Sequence, residues 1–404
     1  MTGVILLDDT FLYAFMWLGL ALVAIIVARM LKVTSALIEI CIGAIAGFIA
    51  NSYFGKGALQ SDDDWLKFIA SAGAVLLTFL SGTELDSKTL RRCYNEIIII
   101  GIVGFTAPFI GCTLLAYHIL GWSSQASLLA GVALSTTSMA VVYAVIVEYG
   151  FHKTDFGKGV LGACFVNGLA TVIALGLLFS PFTYKTVIFI VTSVVAFGAM
   201  PFITSRVFPR FQHRGIRTKW ILLVLFGLGA LAIWSGSEAV LPAYILGMVL
   251  AEVVGKDDEY ISRMRTMTIG FFTPFYFLRA GSLVSIPDII IAPLVLFGLL
   301  GGKVVSKTFG LYPVIGRFKT NKKEQWYYTL LMSTGLTFGT ISAIFGYSHG
   351  IINQAQYSFL VAAVILSAVI PTIVANSFFL PKHLIIKQRT IEAEREDTED
   401  DGVR

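Results

Sequence analysis

Gly131-Val-Ala-Leu-Ser-Thr-Thr-Ser-Met-Ala140 lies inside a long apolar stretch, yet four consecutive residues, Ser135, Thr136, Thr137 and Ser138, carry hydroxyls where a lipid-facing helix would carry Leu or Val. Later in the chain Ser333-Thr-Gly-Leu-Thr-Phe-Gly-Thr-Ile-Ser342 has the same character, with Thr334, Gly335, Thr337 and Gly339 replacing bulky residues. Backbone at membrane depth leaves the helix only where protein or a water-filled cavity satisfies its polar groups, and paired interruptions of this kind mark the binding sites of transporters. The plainer alternative for either segment alone is that small residues let two helices pack closely.

The surrounding chain supports a membrane setting. Of its 404 residues 56% are hydrophobic and 14% charged, and the mean hydropathy is +0.80. Soluble domains carry about 45–50% apolar residues and about a quarter charged ones, which excludes a multi-domain soluble enzyme. No G-x-x-x-x-G-K-[ST] loop is present, and the five histidines form no metal-ligand pattern. Cys41, Cys93, Cys112 and Cys164 are scattered singly and read as small packing residues rather than a disulfide framework. The first apolar run, from Phe11 to Met30, lacks a basic leader and a small-residue cleavage site, and so reads as a retained helix.

Charged and Gly/Pro breaks divide the chain into thirteen apolar stretches, 11–31, 34–52, 65–83, 95–120, 124–148, 157–180, 183–205, 219–235, 240–254, 264–281, 288–312, 325–348 and 353–379. With the N-terminus outside and the C-terminus cytoplasmic, 24 of the 30 Lys and Arg residues fall in cytoplasmic connections or the C-terminal segment. A wrong count would scramble that asymmetry, so the expected architecture is an all-α polytopic membrane protein of thirteen transmembrane helices. The hydroxyl-rich segments are in the fifth and twelfth stretches. Seven stretches apart, they run in opposite directions, as two inverted repeats require. The acidic tail, with seven acids between Glu392 and Asp401, is expected to lie in solvent.

Ionisable groups at membrane depth are costly and mark function by default. Gly301-Gly302-Lys303-Val-Val-Ser-Lys307 puts two lysines one turn apart on one helix face. Lys303 is nearer mid-span, and Lys307 is close enough to the end to snorkel. Arg279 is expected to end its helix near headgroups. Among the acids Glu39 alone lies well inside an apolar stretch, where the ordinary reading is a group hydrogen-bonded between packed helices, while Glu84, Glu96, Glu148, Glu238 and Glu252 sit at helix ends. The midplane therefore has lysine and no evident carboxylate partner.

Several stretches in this order and spacing resemble the monovalent cation:proton antiporter superfamily, in the branch of bacterial sodium/proton antiporters and potassium-efflux systems. Leu37-Ile-Glu39-Ile-Cys-Ile-Gly43-Ala-Ile-Ala-Gly47 is similar to its Gly-Glu-x-x-x-Gly-x-x-x-Gly run, with Ile38 in place of the first glycine. Phe79-Leu-Ser-Gly82-Thr-Glu84-Leu-Asp86 resembles its Phe-x-x-Gly-x-Glu-x-Asp signature, and Pro274-Phe-Tyr-Phe-x-x-x-Gly281 resembles its Pro-Phe-Phe-Phe-x-x-x-Gly element. The fifth stretch, followed by Glu148-Tyr-Gly150, is similar to its Ala-Thr-Ser-Pro segment.

The resemblance implies two inverted repeats with crossing broken helices and a core plus a dimerisation domain. Residues 1–94 and 219–287 would form the dimerisation part, 95–180 and 288–380 the core, 181–218 the linker with its basic loop, and 381–404 the cytoplasmic tail. It further implies a homodimer in the lipid bilayer of the cell's inner membrane, with no enzyme chemistry, no fixed metal, no cofactor and no nucleic-acid partner, exchanging Na⁺ or K⁺ for H⁺ by alternating access. The implied ion site comprises Asn167, Gly168, Thr136, Thr137, Ser138 and Lys303, with Glu39, Glu84, Lys307, Thr334 and Thr337 as secondary positions.

One departure stands out. The family's Asp-Asp or Asn-Asp pair in the sixth helix reads here Asn167-Gly168, within Leu161-Gly-Ala-Cys-Phe-Val-Asn-Gly-Leu-Ala-Thr171, and no other acid lies between Asp155 and Glu238. Either glycine replaces an original aspartate in an otherwise ordinary antiporter, with activity lost or altered, or the chain is a divergent member that uses another group. An anion carrier built around Lys303 on the same fold, and a transport-inactive member, remain the competing functions.

Overall fold

The structure is a computed structural model that describes residues 5–31, 34–55, 57–83, 93–151, 154–179, 183–210, 214–237, 239–254 and 257–384. The regular structure it assigns is helical: α1 Ile5–Leu31, α2 Ser35–Tyr53, α3 Asp64–Thr83, α4 Tyr94–Leu114, α5 Ser124–Ser135, α6 Met139–Glu148, α7 Asp155–Phe179, α8 Tyr184–Arg210 and α9 Arg214–Trp234. It continues with α10 Val240–Leu250, α11 Asp258–Met267, α12 Thr273–Ser282, α13 Ile286–Ile291, α14 Pro293–Ile315, α15 Lys322–Met332, α16 Thr337–Ser348 and α17 Gln354–Val374. Single wider π turns extend α4 and α17 and join α11 to α12. Local chemistry fixes the starts. Ser123 caps α5 by accepting from the Ala126 amide, Asn321 caps α15 through Lys323, and Asp257 caps α11 through Tyr260.

Each of the thirteen apolar stretches contains helix, but the count of thirteen spans is not confirmed. Among the described residues ten helices are long and apolar enough to cross a membrane. The remaining stretches explain the difference. One is cut at Ser135, another yields only the short α10, and the third begins with the polar α11, Asp-Glu-Tyr-Ile-Ser-Arg-Met-Arg-Thr-Met. Exposed Phe11, Phe15, Leu22, Phe297 and Phe309 are the outward residues of a chain that meets lipid rather than water. The acidic tail lies outside the described residues.

The chain divides into two compact units. The first comprises Met1–Ser87, Thr171–Leu296 and Thr340–Ala362. Within it α2 and α12 pack along their lengths, so closely that a Cβ on Gly43 would overlap the Leu278 backbone and one on Gly281 the Ile40 backbone. Trp17, buried against Phe275 and Leu278, donates from Nε1 to Leu59 O at 3.3 Å. Arg279 differs from its expected place among headgroups. It is 7% exposed, donates from Nε to Ser61 O at 2.7 Å and reaches Asp62 at 3.3 Å, because the chain between α2 and α3 folds back over the end of α12.

The second unit comprises Lys88–Ala170, Phe297–Gly339 and Ala363–Arg404. Its core joins Ile100 of α4, Val142 and Ile146 of α6, Phe156 and Val160 of α7, Leu311 of α14, and Tyr327, Tyr328 and Leu331 of α15. The same succession occurs twice in the chain: a long helix, a helix broken in its middle, and another long helix.

Candidate functional site

The hydroxyl-rich segments are both breaks, and both belong to the second unit. The first half-helix, α5, ends at Ser135, Thr136 is extended at φ −63°, ψ 151°, and α6 starts at Met139. The corresponding break runs from the end of α15 at Met332 to the start of α16 at Thr337. The two breaks bond to one another. Ser138 N donates to Thr334 O at 3.1 Å, and Thr137 Oγ1 donates to Met332 O at 2.8 Å. The remaining hydroxyls turn back on their own helices, Thr136 to Ala133 O, Ser135 to Val132 O, Thr334 to Leu331 O and Ser333 to Thr329 O. All of these side chains are buried, so every polar atom has to be satisfied from within the protein.

Lysine does much of that work. Lys307 is fully buried rather than snorkelling, and its ammonium donates to Thr136 O at 3.1 Å, to Thr137 Oγ1 at 2.7 Å and to Met332 O. Both carbonyls belong to the last turns of half-helices, where carbonyls lack intrahelical partners and the helix dipole leaves partial negative charge. One ammonium thus spends all three donors tying the C-terminal ends of α5 and α15 together. The sequence assigned the central position to Lys303, yet Lys303, also fully buried, has a single hydrogen bond, to Ser367 Oγ at 3.0 Å. Its Nζ occupies space left open at Gly335, where a Cβ would overlap it and would stand 3.0 Å from Thr136 Oγ1.

Asn167 reaches the first break from α7, donating from Nδ2 to Ser135 O at 3.3 Å. Gly168 is the next residue and is buried in the same helix. The described carboxylate side chains of this unit lie elsewhere. Glu96 pairs with Lys319, Glu324 with His383, and Asp155 is exposed. The structure therefore brings Thr136, Thr137, Ser138, Asn167, Lys303, Lys307 and Thr334 into one unit around the crossing, with Gly168 adjacent to Asn167 and Thr337 opening α16.

Two secondary positions differ. Glu39 belongs to α2 of the first unit. It is buried, but its Oε2 has no hydrogen-bond partner, so the expected bond between packed helices is not made through that atom. Glu84 lies outside the described residues. The sequence missed the work of Lys307, for which the available signal was its place four residues after Lys303 among Gly302, Ser306 and Gly310. It also missed the Glu96–Lys319 pair.

The profile of the transmembrane sodium/hydrogen exchanger family matches residues 18–379. A probable Na⁺/H⁺ antiporter 3 of Methanocaldococcus jannaschii is 25% identical, with 84% of this chain and 89% of that protein covered. The high-affinity Na⁺/H⁺ antiporter NhaS3 of Synechocystis is 24% identical over 79% of this chain and 72% of its own length. Among solved structures, the sodium proton antiporter MjNhaP1 of Methanocaldococcus jannaschii has the same fold, with a TM-score of 0.70, 14% identity, and 93% of this chain and 99% of that one covered. With a family match across nearly all of its membrane helices, the chain belongs to the sodium/hydrogen exchanger family.

Proposed function

We propose that the chain has the architecture of an alternating-access carrier for a monovalent cation, Na⁺ or K⁺, against H⁺, with the customary carboxylate of its ion site replaced by Gly168, so that exchange is lost or altered. It spans the inner membrane with its N-terminus outside and C-terminus cytoplasmic and works as a homodimer. Residues 95–180 and 288–380 act as the moving core and 1–94 and 219–287 as the dimerisation part. The observation that carries this reading is the crossing itself. Asn167 is bonded to the broken backbone at Ser135 O, and the next residue, at the position the family resemblance gives to an acid, is Gly168. Thr136, Thr137, Ser138, Thr334 and Thr337 supply the surrounding oxygens. A carrier that competes a proton against a cation needs a group that binds either one, and a glycine binds neither. Proteoliposomes holding the chain are therefore expected to show cation/proton exchange near background, and Gly168→Asp is expected to confer pH-dependent exchange. Vigorous exchange by the unaltered chain would refute the assignment of position 168.

One observation favours a second reading. The buried ammonium of Lys303 has only one hydrogen-bond acceptor, and a buried charge left so poorly paired attracts an anion. On that reading uptake follows the anion supplied, is insensitive to Na⁺ and K⁺, and is lost in Lys303→Ala.

A further inference from the structure

The second unit holds another group of polar side chains, at the end where α4 and α7 begin and where the chain leaves α14. Glu96, in the first turn of α4, is 9% exposed. Lys319 approaches both of its carboxylate oxygens at 3.0 Å, but only Oε2 accepts a hydrogen bond, and Oε1 has none. Tyr328 of α15 is fully buried, and its hydroxyl has no hydrogen-bond partner. Glu96 Oε1, ion-paired but not hydrogen-bonded, and the unpartnered Tyr328 hydroxyl both border the space at Gly159. A Cβ built on Gly159 of α7 would stand 2.7 Å from Glu96 Oε1 and 3.8 Å from the Tyr328 hydroxyl. Any side chain at position 159 would push into the carboxylate, so the glycine keeps that space clear.

A buried ion pair that serves stability alone has its spare lone pairs satisfied, because an unsatisfied oxygen next to a buried charge is costly. Here the Tyr328 hydroxyl is left without a partner beside a carboxylate whose Oε1 is met only by ionic contact with the Lys319 ammonium, at the end of a long, rotatable side chain. The Lys319 backbone is held in a turn, its amide donating to Ile315 O at 2.9 Å and its carbonyl accepting from Gln325 Nε2 at 2.7 Å, while its ammonium lies 6.0 Å from the centre of the Phe156 ring. We propose that Glu96 and Tyr328 form a second monovalent-cation site, with the Lys319 ammonium occupying it as a tethered substitute that an incoming Na⁺ or K⁺ displaces. Binding releases one cation from the carboxylate for each cation taken up, so the site is weak and exchanges readily, as a transit site must.

The placement fits transit. Gly159 and Asn167 are eight residues apart on α7, about 12 Å along the axis, and Tyr328 and Met332 are one turn apart on α15. The site thus shares two helices and one compact unit with the broken crossing, and in the orientation proposed above it lies at the cytoplasmic end. Its existence does not depend on the transport reading, which its test leaves aside.

The test is cation-dependent thermal stabilisation of the purified full chain, with NaCl or KCl compared against choline chloride at constant ionic strength. Lys319→Met is expected to reach half-maximal stabilisation at a cation concentration about tenfold lower than the unaltered chain, equivalent to about 1.4 kcal/mol of competition removed. Adding Glu96→Gln should abolish the response, and adding Tyr328→Phe should weaken it. Lys319→Gln serves where Lys319→Met does not fold. A Lys319 variant with no Na⁺- or K⁺-specific shift, or a shift that survives Glu96→Gln, overturns the proposal. Failure of Gly168→Asp to exchange ions while the Lys319 variant still responds would sink the transport reading alone.

Discussion

Lys307→Met separates two lysines that the sequence makes look equivalent. Replacing Lys307 removes three hydrogen bonds from the crossing: to Thr136 O, Thr137 Oγ1 and Met332 O. Hydrogen bonds to charged groups contribute about 1.5–3 kcal/mol each, but these three share one ammonium. Met332 O also keeps the bond from Thr137 Oγ1. The net cost is therefore about 3–5 kcal/mol, the range found when a buried charge network loses one member. At about 2–4 °C per kcal/mol for a body the size of the second unit, the transition falls by about 6–20 °C. Lys303→Met loses one bond, to Ser367 Oγ, and at the same time relieves a poorly paired buried charge. Its cost is at most about 1 kcal/mol, and it can stabilise. The assay is thermal unfolding of both variants in one detergent, followed by intrinsic fluorescence. Equal losses for the two variants, or a larger loss for Lys303→Met, would refute the assignment of Lys307 as the tie between the half-helices.

Two further outcomes follow from the first unit. Gly281→Ala sets a methyl group into the Ile40 backbone, which has no flexible end to move aside, so it should lower stability by about 1–3 kcal/mol in the same melt; an unchanged transition would mean that α2 and α12 are farther apart than described. Arg279→Gln strips the charged donors from Ser61 O and Asp62, and should cost about 1.5–3 kcal/mol and increase protease cleavage between α2 and α3; a cleavage pattern matching the unaltered chain would show that the arginine does not hold that segment.

Legibility in the sequence followed the range of each interaction. The breaks were visible because their cause is local: four hydroxyl residues in a row at 135–138, and Gly335 and Gly339 near 337, neither of which a continuous lipid-facing helix would use. The polar start of α11 was equally local, but the apolar stretch that follows it hid the weakness of that span. Lys307 was read as a helix-end residue because its three acceptors come from two other helices, and nothing near residue 307 announces them. Glu96 and Lys319 are 223 residues apart, and each alone looks like an ordinary solvated helix end. Arg279 was misplaced for the same reason, since Ser61 and Asp62 return to it from a distant connection.

The crossing also explains why a chain with Gly168 can still have the family's fold. Each half-helix C-terminus carries about half an elementary negative charge, so the two ends that meet at Lys307 together offset about one positive charge. The ammonium that joins α5 to α15 is therefore balanced by backbone dipoles and does not require a carboxylate beside it. Lys303 has no such arrangement, with one hydroxyl as its acceptor, and the chain folds with Gly168 where the family pattern has an acid. The acid at that position is on this account a requirement of ion binding and not of folding. Gly168→Asp should then change exchange while leaving the transition temperature close to that of the unaltered chain. A large gain in stability would instead mean that the crossing depends on the missing carboxylate, and that the dipoles alone do not balance Lys307.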